Sequence, residues 1–191
     1  MTMRRAVTTT VMLVIGGTLW QGCAPPPESA ADSGPAPTAV AAALRQSWQS
    51  ARANIAQSAE IMAEADYAFR PVDSVRTFGQ ILSHLAGANY VFCSSAKGEA
   101  PPHAEDAFEE TVASRDEIIK VLGASLVYCD SAYDAATDAS LAETVSLPFD
   151  QGDGARATAL LGNVGHLNEH YGNLVTYFRI KGIVPPSSRG Q

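Results

Sequence analysis

The sequence predicts an all-α protein, a four-helix bundle, and three observations lead there. Four long stretches repeat apolar residues at steps of three and four, the spacing of a buried helical face. No stretch carries a convincing alternation with the period of two that a half-buried strand requires. Proline gathers between the four stretches, at Pro71, Pro101-Pro102, Pro148 and Pro185-Pro186, where it stops helices without breaking one. Amphipathic helices so connected bury their seams against one another, which assigns residues 38–188 to a single bundle.

Two appendages precede that bundle. Residues 1–23 read as an export signal: Arg4 and Arg5, an apolar run from Ala6 to Trp20, then Gln21-Gly22-Cys23. The run is too short for a spanning helix, and Pro25 to Pro27 follow it directly. Gly22-Cys23 resembles the cleavage point of a bacterial lipoprotein, in which Cys23 becomes the lipidated first residue. Trp20 stands where leucine is usual, and ordinary secretion with cleavage near Cys23 is the alternative. Residues 24–37 are rich in Pro, Ala and Ser, with little to bury, and read as a flexible linker.

The first helix starts near Pro37 and carries Val40, Leu44, Trp48, Ala51, Ile55, Ser58 and Met62 along one face, fading near Ala65. The second runs from about Thr77 to Ala96. Its seam is Phe78, Leu82, Leu85, Asn89 and Phe92; Ile81, His84, Ala88 and Val91 form the stripe beside it. Gly98 ends it. The third is expected over Glu105 to Tyr133, with Phe108, Val112, Arg115, Ile119, Leu122, Leu126, Cys129 and Tyr133 as its seam. A linker over 134–154, with a short turn at 141–145, leads to the fourth, Arg156 to Lys181, with Gly182 at its C-cap.

The fourth helix organises the functional reading. Leu160, Val164, Leu167, Tyr171, Leu174 and Phe178 make its core seam, and Asn163, His166, His170, Asn173 and Tyr177 make the stripe alongside. A helix turns about 100° per residue, so His170 sits about 40° round from His166 and one turn along, and both rings project from one face. Polar groups beside a core seam are costly unless they are hydrogen-bonded or ligate something. A divalent cation would satisfy both rings, and His84 is the candidate third ligand. The bland reading of one such histidine is a core residue with ordinary partners; the i, i+4 pair plus an inward third histidine argues for more. In H-L-N-E-H the glutamate, Glu169, stands fourth and not second as in the zincin HExxH motif, so it is no natural general base. His103 lies in a proline-flanked loop and is given no role.

The string GHLNEHYGNLVTYFRIKGIVPPSS, Gly165 to Ser188, resembles the last helix of the DinB (damage-inducible, YfiT-like) family, and FGQILSHLAGANY, Phe78 to Tyr90, resembles its second. The resemblance implies a four-helix bundle in which His84, His166 and His170 bind one divalent ion. It also implies a homodimer, and an activity like that of relatives that are thiol-dependent S-transferases and isomerases. Three imidazoles leave a Zn²⁺ or Ni²⁺ ion with an open position, the pattern of catalytic and not structural sites. Export weighs against thiol transfer, because low-molecular-weight thiols are scarce outside the cytosol, and leaves metal-assisted hydrolysis of an unknown small molecule. The alternative is a non-catalytic, lipid-tethered binding module whose metal is structural or absent. Asn89, Asn163, Asn173 and Tyr177 are candidate orienting partners for the ligand rings.

Charge and cysteines bound the partners. The formal charge is −7, and removal of residues 1–22 leaves 11 bases against 20 acids, a balance of −9. The bases are scattered, which excludes a nucleic-acid surface and leaves a lipid on Cys23 as the sole membrane attachment. Cys93 and Cys129 form either a bridge between two helices or two small buried apolar residues; the second is the default, since sequence cannot give the Cα separation a bridge requires. Cys93, nine residues beyond His84, falls on the opposite face of its helix and is no ligand for the same ion.

Overall fold

Capping chemistry sets where the helices begin. The computed structural model describes residues 39–112 and 114–189; the export signal, Cys23 and the 24–37 linker lie outside the described residues. Helix α1 spans Ala39–Ile61. Helix α2, Phe78–Lys97, opens on a capping box: Thr77 accepts from the Gln80 amide, and the Gln80 side chain accepts from the Thr77 N–H. Such a cap contributes about 1 kcal/mol by satisfying donors that helix geometry orphans. Gly98, at φ +73°, closes the helix in the left-handed region where a side chain would be strained. Helix α3, Arg115–Asp134, opens on a second box, Ser114 with Glu117. After a short helix α4, Asp138–Leu141, and a two-stranded hairpin, β1 (Thr144–Ser146) with β2 (Asp153–Ala155), the chain enters α5, Arg156–Ile180.

The four long helices make the expected bundle. Helix α2 packs on α3 and α5, and α1 packs on the same two from the other side, so α1 and α2 stand diagonally opposed. The core runs through Leu44, Trp48 and Ile55 of α1, Phe78, Leu82 and Leu85 of α2, Leu122 and Leu126 of α3, and Leu160, Leu167, Leu174 and Phe178 of α5. Each large side chain fully buried there contributes about 1.5–3 kcal/mol by leaving water. No helix among the described residues is long and apolar enough to cross a membrane.

Several expectations need correction. Helix α3 begins at Arg115, not near Glu105: Ser114-x-x-Glu117 caps it, and residues 105–111 form a turn-rich strap ahead of it. Arg115 is therefore no seam residue; its guanidinium donates to the Glu60 carbonyl and pairs with the Glu60 carboxylate at 3.2 Å. The 134–154 linker holds a hairpin of three-residue strands, too short to show a period of two. In α1, Ala41 takes the buried place expected of Val40, which is 63% exposed, and the helix stops at Ile61.

The two cysteines are joined. Cys93 of α2 and Cys129 of α3 form a fully buried disulfide with Cα atoms 5.4 Å apart, against the default of two free thiols. Asn163 of α5 donates its amide toward both sulfurs, at 3.4 and 3.6 Å. Nearby, the Asn89 amide donates to Ser125 at 3.0 Å, so both asparagines serve the core and not the histidines.

Candidate metal centre

The diagonal arrangement of α1 and α2 brings α2 directly against α5, and the His84 face of α2 meets the polar stripe of α5. His84 projects from α2; His166 and His170 project from successive turns of α5. The three rings converge, His166 and His170 from one face as their spacing predicts, with one ligand atom from each lying within 4.8 Å of the others. The His84 Nε2 and His170 Nε2 atoms each lie 3.1 Å from His166 Nε2. Ligand nitrogens about 2.0–2.1 Å from one ion at near-tetrahedral angles stand roughly 3.3 Å apart, so this spacing suits a single divalent cation.

Tautomers decide whether the rings fit such an ion. The His84 Nδ1–H donates to Glu109 Oε1 at 2.8 Å, which leaves a lone pair on Nε2 facing its two neighbours. The Asn173 amide nitrogen lies 3.4 Å from His170 Nδ1; placed so, it donates to Nδ1 and leaves the ring proton on Nε2, whereas a half-turn of the amide presents its oxygen to Nδ1–H and frees the Nε2 lone pair. His166 Nε2 sits between these two, and a neutral ring could donate to only one of them. Its Nδ1 is buried without a hydrogen-bond partner. Neutral rings can make at most one hydrogen bond across the two Nε2–Nε2 contacts, whereas a cation among the three nitrogens satisfies them together.

Electrostatics keeps the rings in the ligand form. Burial pushes His166 down from 6.5 to about 3, helped by the neighbouring His170 and His84. His170 is pushed down to about 4, by burial first and then by His84. Both are therefore neutral at pH 7, and a metal ion need not displace a proton from either. Burial alone would raise the Glu109 carboxyl, but hydrogen bonding and charge from Arg76 outweigh it and hold Glu109 below the usual range. The Arg76 guanidinium grips that carboxylate at 2.8 and 3.1 Å, and the Tyr177 hydroxyl donates to the Arg76 carbonyl at 2.5 Å. A carboxylate–histidine pair of this kind fixes ring orientation and raises ligand basicity.

The sequence reading therefore found the rings but not all their supports. Asn173 reaches a ring, and Tyr177 acts one step removed, through Arg76. Glu109, Glu105 and Arg76 were missed. The first two ride on the 105–111 strap, which helical periodicity had absorbed into α3. The signal that could have released them is the Ser114–Glu117 capping box, which restarts the helix after the strap.

A cavity of about 750 Å³ reaches the centre from one side. Val72, Arg76, Ile81, His170, Asn173 and Tyr177 are among its lining residues, so His170 stands at the junction of pocket and centre. On the other side, Phe92 packs on His166 at a centroid distance of 5.6 Å, and Phe149 of the hairpin covers Phe92 at 5.2 Å. The centre thus meets the cavity at His170 and an aromatic pair, Phe92 and Phe149, at His166.

With this geometry in place, comparison with known proteins gives a consistent result. The sequence family described as the DinB superfamily matches residues 47–174. A DinB-like protein from Bacillus cereus ATCC 10987 matches the fold with a TM-score of 0.63 at 17% identity, over 75% of this chain and 93% of its own. A protein from Exiguobacterium sibiricum assigned to the DinB family gives 0.60 at 18% identity, over 76% and 93%. A mycothiol-dependent maleylpyruvate isomerase gives 0.58 at 14% identity, over 70% of this chain and 60% of the isomerase. No curated protein sequence matches significantly. At these identities the structural likeness establishes the fold alone.

Proposed function

The chain belongs to the DinB superfamily, and from that premise we propose that it is an exported, metal-dependent hydrolase acting on a small molecule. His84, His166 and His170 hold one divalent cation, with Zn²⁺ or Ni²⁺ the ions their nitrogen donors suit best. When bound, such an ion lowers the pKa of a water molecule and polarises a carbonyl. The chain's own groups supply the rest: Glu109 and Asn173 orient the rings, Phe92 shields one face from solvent, and the 750 Å³ cavity admits the substrate beside His170. The single observation that carries this reading is the convergence of three imidazoles from two helices within 4.8 Å.

The choice between hydrolysis and thiol transfer rests on the cysteines. A buried disulfide persists where the surroundings are oxidising, which supports export, with Cys23 as a lipid-bearing tether. A low-molecular-weight thiol substrate is scarce in that setting, whereas water is not.

Elemental analysis of untagged protein tests the centre. About one divalent ion per chain is expected, and His166→Ala should reduce it to background while the far-UV circular dichroism stays helical. Wild-type protein that takes up neither Zn²⁺ nor Ni²⁺ would remove the metal centre. A loaded protein that cleaves no ester, amide or lactone offered, yet conjugates thiols, would replace hydrolysis with transfer.

A further inference from the structure

Gly87 lies one turn beyond His84 on α2, and it is where the 105–111 strap touches the helix. A Cβ on Gly87 would stand 1.9 Å from the Glu105 carbonyl oxygen and 2.6 Å from its carbonyl carbon, so only glycine lets the strap's backbone lie this low. The strap is pinned on both flanks. The His103 ring packs against Tyr90 and Phe108, with centroids 4.8 and 5.0 Å apart, and Arg76 clamps Glu109. Descent onto Gly87 brings two carboxylates to the same imidazole: Glu109 meets His84 Nδ1 at 2.8 Å, and Glu105 Oε1 stands 3.8 Å from His84 Nε2.

The two contacts differ in kind. Glu109 receives the Nδ1 proton, so Nε2 presents a lone pair, and Glu105 presents lone pairs of its own. Two acceptors therefore face each other across a gap too long for a hydrogen bond. Such a pair is stabilised when something positive or proton-bearing lies between them. A cation on the three Nε2 atoms satisfies the imidazole side. A molecule held by that cation and carrying an O–H or N–H would satisfy the carboxylate side. At 39% side-chain exposure Glu105 is open to an incoming ligand, whereas Glu109, at 17%, is enclosed.

We propose that Glu105 is a ligand-contacting residue of the metal centre, which accepts a hydrogen bond from the molecule bound at the cation and so selects ligands bearing a proton next to their donor atom. This rests on the metal-centre reading. It adds a carboxylate, delivered by the strap, to a site whose other groups come from α2 and α5, and it gives the substrate class as small molecules with an N–H or O–H adjacent to the coordinating oxygen, such as hydroxamates and amides.

Optical titration of the Co²⁺-loaded protein tests this without any turnover, with acetohydroxamate as the proton-bearing probe and azide as the probe lacking one. Glu105→Ala should keep about one Co²⁺ per chain and weaken acetohydroxamate about tenfold, as expected for loss of a hydrogen bond to a charged acceptor, while azide binds as well or better. Glu105→Gln, which keeps an acceptor oxygen without the charge, should fall between wild type and alanine. Equal weakening of both probes, no weakening of acetohydroxamate, or loss of Co²⁺ from Glu105→Ala would each overturn the proposal. Failure of the wild type to bind Co²⁺ would instead overturn the metal centre on which it rests.

Discussion

Helix α2 has two seams, and they are finished in opposite ways. Against α3 it is tied down: a buried disulfide, the Asn89–Ser125 hydrogen bond and apolar side chains join the two helices, although Asn89 Oδ1 is buried there without a partner. Against α5 it is held without a covalent bond: three ring nitrogens converge with at most one hydrogen bond to share, and the His166 Nδ1 atom is buried without a partner. One helix thus carries a seam closed by a covalent bond and packing and a seam where three imidazole nitrogens converge on one point. The covalent seam is the place to perturb stability and the histidine seam the place to perturb metal uptake, and the two can be changed separately.

The largest effect should come from the closed seam. The Cys93–Cys129 bond spans 36 residues, and removing a constraint of that length from the unfolded chain costs about 4 kcal/mol in the chain-entropy account. Cys93→Ala combined with Cys129→Ala should lower the free energy of denaturant unfolding by roughly that amount, while the folded variant still takes up one metal ion. If metal binding vanished from a variant that remained folded, the two seams would not be separable.

How much of this was legible depends on how local the signal was. The seams of α2 and α5 and the three histidines were visible because periodicity alone sets which face a side chain leaves. That His84 meets the other two follows from α2 packing beside α5, which the family resemblance supplied and a single helix could not. The disulfide was out of reach because bonding depends on a Cα separation between two helices. Glu105 and Glu109 were hidden by a misread boundary: Phe108 and Val112 fall in step with α3, and that accident outweighed the Ser114–Glu117 cap. Both are in fact partly buried against the core, so their apolar character was real, but they hold down a strap and not a helix.

The open seam should show itself next, as a dependence on pH. His166 and His170 have folded-state values near 3 and 4, below the 6.5 of an unperturbed ring, so the unfolded chain takes up their protons first. Their contribution is fully present above pH 6.5 and is lost as pH falls from there toward 4 and 3. Metal-free wild type should therefore lose thermal stability on acidification more steeply than a His166→Ala, His170→Ala double variant. Parallel melting curves over pH 7 to 4 would mean that the rings are not held neutral by burial.

The smallest effect contrasts two glycines, one at each seam's helix. Gly87 has no room for a side chain, because the strap's carbonyl occupies the space. Gly123 of α3 has nothing within 4 Å of the place its Cβ would take, so its lack of a side chain serves no contact. Its cost is the ordinary one of glycine inside a helix, about 0.5–1 kcal/mol relative to alanine, through backbone entropy. Gly123→Ala should raise the unfolding free energy by up to that amount and leave metal uptake unchanged. A gain of the same sign from Gly87→Ala would show that the strap does not rest on α2 as described, because relief of backbone entropy could not offset a carbonyl 1.9 Å away.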